Sequence, residues 1–66
     1  MIRITKIGRA YMVEATAPHT ERRWKNLLPV SARGVIEGLI RHGASLPAAC
    51  AALAAADPYG VDHAFG

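Results

Sequence analysis

The sequence predicts an α+β fold of the ββαα type, in which an N-terminal two-stranded antiparallel hairpin packs against two or three short helices. Two patterns support this prediction. Residues 2–7 and 10–15 alternate apolar and polar side chains with the period of two that is typical of half-buried strands. Residues 32–42 and 46–56 instead place their larger apolar side chains three and four positions apart, which is the spacing of one helix face.

The two predicted strands are joined by Gly8-Arg9. Glycine at the first central position suits a type II′ turn, whose twist matches that of the strands it connects. A two-residue turn also fixes which residues of the two strands lie opposite each other. The expected pairs are Ile7 with Ala10, Lys6 with Tyr11, Thr5 with Met12, Ile4 with Val13, Arg3 with Glu14 and Ile2 with Ala15.

This register divides the side chains of the hairpin between two faces. One face is apolar apart from the stem of Lys6, and we expect it to pack against the helices. On the other face Arg3 stands opposite Glu14, an opposite-charge pair worth a few tenths to about 1 kcal/mol. The apolar face comprises Ile2, Ile4, Tyr11, Val13 and Ala15, and the other comprises Arg3, Thr5, Ile7, Met12 and Glu14.

Two longer helices are predicted over residues 32–42 and 46–56. Ser31 and Ser45 precede them and are suitable N-caps, because a serine hydroxyl accepts a hydrogen bond from an amide of the first turn. Gly43 is well placed to end the first of these helices. The larger apolar side chains expected on the inner faces are Val35, Ile36, Leu39 and Ile40 in one helix and Leu46, Cys50 and Leu53 in the other.

Two shorter segments complete the predicted fold. Thr20 is the expected N-cap of a short helix over residues 21–27. Residues 57–66 are expected either to fold back through Tyr59 and Phe65 or to form a frayed tail. The side chains expected on the inner face of the short helix are Trp24, Leu27 and Leu28.

Residues 1–66 are expected to form one small domain with a thin core. A chain this short buries only about 60% of the surface that its unfolded form exposes, and much of its 52% hydrophobic content is alanine. Because the single Cys50 cannot form an internal disulfide, oligomerisation or a larger complex is the expected source of further stability. No apolar stretch is long enough to span a bilayer, so we expect a cytoplasmic chain with no membrane partner.

The sequence predicts no catalytic site, no metal site and no cofactor. A catalytic pocket needs walls that a chain of 66 residues scarcely provides. His19, His42 and His63 lie too far apart along the chain to share one helix face. Cys50 falls on an apolar stripe, which favours a buried structural thiol. We therefore expect a non-enzymatic protein, since an enzyme would need a pocket lined by at least two of His19, Glu21 and His63.

The charge distribution predicts an acidic partner. All eight Lys and Arg residues fall within residues 1–41, together with only three of the five acidic residues. We expect the chain to act as an adaptor or inhibitor that docks onto a larger macromolecule, with a protein as the leading partner. Compact basic chains of this size are common among accessory proteins of mobile elements. The expected partner-binding residues are Arg9 at the hairpin turn and the cluster Arg22, Arg23, Trp24 and Lys25.

Trp24 within this cluster has two interpretations. It either fills the core from a solvated helix or lies exposed between cations, where it would serve as an interface residue or a base-stacking platform. Its exposure decides between them.

Nucleic acid is the alternative partner. The chain would then either bind nucleic acid without recognising its sequence or act as a small DNA-binding regulator. Residues 32–56 have the arrangement of a helix-turn-helix around Gly43. Its second helix, however, would carry no Arg, Lys, Asn or Gln to contact bases. A hairpin inserted into the major groove is disfavoured by Glu14, which would oppose phosphate.

The open edges of the hairpin offer a third mode of binding. A two-stranded sheet leaves two rows of unpaired backbone groups, and one row can pair with a copy of itself. The sequence therefore also predicts a homodimer through the hairpin edge, with a four-stranded sheet and a larger core.

Overall fold

The computed structural model describes residues 1–26 and 28–66, and it confirms the α+β fold. An antiparallel sheet with the strand order β1-β2-β3 carries the helices on one face. The strands are β1 (Ile2–Ile7), β2 (Ala10–Ala15) and β3 (Trp24–Lys25), and the helices are α1 (Ala32–Arg41), α2 (Leu46–Ala56) and α3 (Gly60–Phe65).

The hairpin has the predicted register in all six pairs, from Ile7 with Ala10 to Ile2 with Ala15. Gly8 has a φ of +61° whereas Arg9 does not have a positive φ, which distinguishes the predicted type II′ turn from type I′. The two faces comprise the predicted residues, but on the outer face Glu14 forms its ion pair with Lys25 rather than with the predicted Arg3. Tyr11, Val13 and Ala15 are buried, while Ile2 and Ile4 are half-buried against the same core.

The predicted helix over residues 21–27 is wrong. Trp24 and Lys25 instead form β3, opposite Ala15 and Glu14 of β2. The Thr20 hydroxyl donates to the Arg22 carbonyl at 2.8 Å rather than capping a helix. Leu27, predicted on the inner face of that helix, lies outside the described residues.

Backbone hydrogen bonds to distant partners explain this change from helix to strand. The amides of Glu21 and Arg22 donate to the His42 carbonyl, and Val30 exchanges two hydrogen bonds with Tyr11 of β2. A helix of seven residues has a costly nucleus and gains few internal hydrogen bonds. The open edge of β2 and the end of α1 therefore compete successfully for these backbone groups.

α1 and α2 form where the sequence predicts them. The hydroxyls of Ser31 and Ser45 accept hydrogen bonds from the amides of Gly34 and Ala48, at 3.1 and 3.2 Å. Gly43 follows α1 with a φ of +104°, a conformation that side-chain-bearing residues rarely adopt.

The inner faces of these two helices differ from the prediction at one residue each. Ile40 of α1 is 43% exposed and Leu46 of α2 is 50% exposed. In α2 the buried residue that accompanies Leu53 is Ala49, four positions earlier, and Cys50 is half-buried. A small side chain at this contact lets α2 approach its neighbours closely, whereas Leu46 is the first residue of the helix and is only half covered.

The C-terminal segment folds back as α3, but not through its aromatic side chains. Tyr59 and Phe65 are 67% and 61% exposed, whereas Gly60 and Ala64 are buried. A Cβ atom at Gly60 would lie 2.7 Å from Cγ of Leu53. The close approach of α3 to α2 therefore requires a residue without a side chain. Within the described ranges, no helix is long and apolar enough to cross a bilayer.

Candidate macromolecule-binding surface

A buried polar cluster connects β1, β2 and the end of α2. Asp57 directly follows α2 and is only 3% exposed. Its Oδ2 atom accepts a hydrogen bond from the Tyr11 hydroxyl at 2.6 Å and lies 3.2 Å from Nζ of Lys6. Its Oδ1 atom accepts from the amide of Tyr59 at 3.0 Å. The carboxylate is thus satisfied by donors from three parts of the chain.

These contacts shift two pKa values away from neutrality. The hydrogen bond from Tyr11, then that from the Tyr59 amide, and the nearby Lys6 lower the pKa of Asp57 to about 2, although burial acts in the opposite direction. The hydrogen bond to Asp57, together with burial, raises the pKa of Tyr11 to about 12. A general acid or base works best with a pKa near the operating pH. At neutral pH this pair holds its proton in place and serves structure rather than proton transfer.

A cleft of about 420 Å³ opens beside this cluster, between the hairpin turn and the start of α1. Its walls carry the cations of Lys6, Arg9 and Arg33 together with His63. Among the described residues that line it, none is acidic. Ser31, the N-cap of α1, lies at its rim. We call this feature the turn-end cleft.

The three cations of the turn-end cleft differ in their existing partners. Lys6 contacts Asp57, and Nε of Arg33 donates to Oε1 of Glu37 at 3.0 Å. Within residues 1–26 and 28–66, no carboxylate lies within ion-pair distance of Arg9. Arg9 is also exposed on the turn. It is therefore the cation of this cleft that is best placed to meet an external anion.

The predicted cluster Arg22, Arg23, Trp24 and Lys25 is divided between the two faces of the sheet. Trp24 points inward, where its ring stacks on His42 with centroids 5.2 Å apart and an interplanar angle of 12°. Lys25 lies on the outer face, with Nζ 3.8 Å from Oε2 of Glu14. The Arg22 guanidinium donates to the Arg41 carbonyl, and Arg23 is exposed.

The position of Trp24 answers the question that the sequence left open. It is half-buried, packs against the core and lies directly over Gly38, where a Cβ atom would overlap the indole ring. The ring is therefore committed to packing within the chain. A half-buried ring of this kind does not present a fully exposed aromatic face to a partner.

The structure does not bring Arg9 together with the Arg22–Lys25 segment. Arg9 precedes the first residue of β2, whereas Trp24 lies opposite Ala15 at its far end. At about 3.3 Å per residue, the strand from Ala10 to Ala15 separates the two by roughly 17 Å. The predicted partner-binding residues thus form two basic regions at opposite ends of the sheet.

Sequence reasoning missed two parts of this surface. Arg33 and His63 join Arg9 only because α1 and α3 pack beside the turn, and no local pattern predicts that packing. The role of Asp57 did leave a signal. Tyr11 lies on the predicted apolar face, and a buried tyrosine hydroxyl usually finds a partner.

The structure also shows where the candidate catalytic and metal-ligating residues lie. His63 lines the turn-end cleft, whereas His19 lines a separate depression beside Ile2 and Ala48. Glu21 packs against Gly43. In the part of the chain that the structure describes, no three His, Cys, Asp or Glu side chains are grouped as metal ligands.

Comparison with known proteins adds no further constraint on this site. The sequence matches no protein-family model, and no curated protein or solved structure is significantly similar to it.

The packing of Trp24 on α1 gives a first testable prediction. Gly38→Ala should displace the indole ring and destabilise the chain, because the added methyl group overlaps the ring. We expect a loss of about 1–3 kcal/mol, with a changed near-UV circular dichroism band from Trp24. Gly34→Ala is the matched control in the same helix. A Cβ atom added at Gly34 would lie 3.3 Å from its nearest neighbours, which is a much looser contact than that at Gly38. Equal losses in the two variants would contradict the close contact at Gly38.

Proposed function

We propose that this chain is a small non-enzymatic binding domain that docks onto an acidic surface of a larger protein, as an adaptor or inhibitor. The turn-end cleft is the observation that supports the proposal most strongly. It combines three cationic side chains with no acidic lining residue among those described. A recess of one charge sign favours a partner of the opposite sign and speeds its association.

The arrangement of the cations favours a protein over nucleic acid. Nucleic-acid affinity grows with the number of phosphates that Lys and Arg neutralise together. Here Lys6 and Arg33 already contact carboxylates, and the basic segment that contains Arg22 lies at the other end of the sheet. Glu14 lies on the outer face of that end, where it contacts Lys25. One or two acidic side chains of a protein fit such a compact recess better than a run of phosphates.

Non-sequence-specific binding to nucleic-acid phosphates is the second candidate function, and one observation favours it. The first turn of α1 begins at the rim of the turn-end cleft. Amides at a helix N-terminus attract phosphate, and here they would act together with Arg9.

Reversing the charge of Arg9 tests the leading proposal. With an acidic peptide of alternating Glu and Tyr as probe, Arg9→Glu should weaken binding about tenfold, equivalent to about 1.4 kcal/mol, because it removes the free cation of the cleft and repels the probe. Fluorescence anisotropy of the labelled peptide at low salt gives the dissociation constant.

Arg23→Glu is the matched control, because Arg23 is also exposed but lies in the other basic region. The proposal predicts a clearly smaller effect from this variant. Equal weakening would show that only net charge matters, and failure of the peptide to bind would contradict the proposal. Tighter binding of duplex DNA, with a steep loss on adding salt, would support the second candidate instead.

A further inference from the structure

We infer that the outer edge of β1 is a self-complementary interface, through which two copies of this chain pair as antiparallel strands. The backbone groups of β2 that point away from β1 already have partners within the chain. Both hydrogen-bonding groups of Tyr11 go to Val30, and the Val13 carbonyl accepts from Asn26. Tyr11 and Val13 thus direct these backbone groups away from β1. In an antiparallel pair, the residues of β1 that lie opposite them likewise direct their backbone groups away from β2.

That rule identifies the groups at the open edge of β1. Lys6 lies opposite Tyr11, Ile4 lies opposite Val13, and Ile2 continues the same alternation opposite Ala15. The amides and carbonyls of these three residues therefore face outward along one straight edge. In the described part of the chain, none of them has a backbone partner from a loop or cap. An edge of this kind readily pairs with another strand.

β1 lacks several of the features by which proteins protect a sheet edge, although it does carry the charged side chains of Arg3 and Lys6. It is six residues long, contains no proline and pairs with β2 without interruption of the register. An inward-pointing charge is a further protective feature, and Lys6 is such a residue. Its ammonium group, however, already contacts the carboxylate of Asp57 at 3.2 Å. Its charge is therefore compensated within one chain.

A second copy presents the same three outward residues, and charge distinguishes between the registers in which the two edges can pair. A two-fold axis at Ile4 pairs Ile4 with its copy and Ile2 with Lys6 of the partner, which uses all three outward residues and forms roughly six hydrogen bonds. Arg3 then faces Thr5 of the partner. A two-fold axis at Arg3 would instead place two arginines opposite each other, which is unfavourable.

The surface beside the edge is also compatible with the close approach of a copy. α2 packs next to β1, and its eleven residues include no charged side chain. A groove of about 300 Å³ lies between them, lined by Ile2 and Ile4 on one side and by Ala52 and Ala55 on the other, and Arg3 also lines it. Joining two sheets at this edge would cover the groove and enlarge a core that is thin in one copy.

Sedimentation equilibrium and amide hydrogen exchange test the interface directly. The inference predicts a concentration-dependent species of twice the 7.0 kDa mass of one chain. It also predicts that the amides of Ile2, Ile4 and Lys6 become protected in step with that species. A single 7.0 kDa species up to millimolar concentration would overturn the inference. So would a dimer in which these three amides exchange as fast as exposed amides.

Opposite substitutions of Thr5 test the register. Each dimer would contain two Thr5–Arg3 contacts, so Thr5→Lys should raise the dimer dissociation constant about tenfold and Thr5→Glu should lower it about tenfold. Met12→Lys and Met12→Glu are the matched controls, because Met12 lies opposite Thr5 on the same face but on the inner strand β2. Shifts of the same sign in both Thr5 variants, or shifts matched by the Met12 controls, would overturn the proposed register.

Discussion

Leu53→Ala should remove most of the free energy of unfolding of this chain. Leu53 is fully buried, and its Cγ atom lies so close to Gly60 that a Cβ there would be only 2.7 Å away. The substitution leaves a cavity between α2 and α3 and costs about 2–5 kcal/mol. A domain of this size has rarely more than about 3–5 kcal/mol to lose. Urea denaturation followed by far-UV circular dichroism measures the loss.

Leu46→Ala provides the control in the same helix. It removes the same atoms from a side chain that is half exposed, so we expect a loss below about 1 kcal/mol. Similar losses from the two substitutions would show that Leu53 does not occupy the core position described above.

Tyr11→Phe should destabilise the chain by about 1–3 kcal/mol, because it removes a hydrogen bond to a buried carboxylate. The phenolic hydroxyl lies 2.6 Å from Oδ2 of Asp57, and the ring itself stays in the core. We expect the melting temperature to fall by about 4–8 °C for each kcal/mol of unfolding free energy that is lost. Tyr59→Phe removes the same hydroxyl from an exposed ring and should leave the melting temperature almost unchanged.

The same hydrogen bond predicts how stability depends on pH. The pKa of Asp57 is lowered from 3.8 to about 2, so its contribution is present above pH 4 and is lost as the pH falls toward 2. The pKa of Tyr11 is raised from 10.0 to about 12, so its contribution is present below pH 10 and is lost as the pH rises toward 12.

Tyr11→Phe should therefore change both ends of the pH profile. The alkaline loss due to Tyr11 disappears, because the titrating group is gone. The acid loss becomes smaller and is complete at a higher pH, because the largest cause of the lowered Asp57 pKa has been removed. Urea midpoints measured from pH 2 to pH 11 give this profile. Parallel profiles for the original chain and the variant would contradict the coupling of the two groups.

The parts of the fold that sequence predicted are those governed by neighbouring residues. Gly8 fixes the turn, and the turn fixes the hairpin register. Ser31 and Ser45 each cap the helix that follows them. In these cases the partner of each group lies within a few residues or across a two-residue turn, so the pattern contains the needed information.

The parts that sequence did not predict depend on contacts between distant segments. The sequence around Trp24 is compatible with a short helix. In the structure, however, this segment forms backbone hydrogen bonds with β2 and with the end of α1, which are distant along the chain. The turn-end cleft likewise needs Arg33 and His63 to be placed beside Arg9. Propensity and periodicity describe single segments, so they do not determine which segments meet.

The hydrogen bond between Tyr11 and Asp57 has a consequence for how this chain is synthesised, because it spans 46 positions. The ribosome makes the hairpin before the helices, yet an isolated hairpin is at best marginally stable in water. Its tyrosine hydroxyl meets a carboxylate only after residue 57 has left the exit tunnel. Stable folding therefore waits until nearly all 66 residues are outside, and until then the nascent chain presents an unpaired strand to its surroundings.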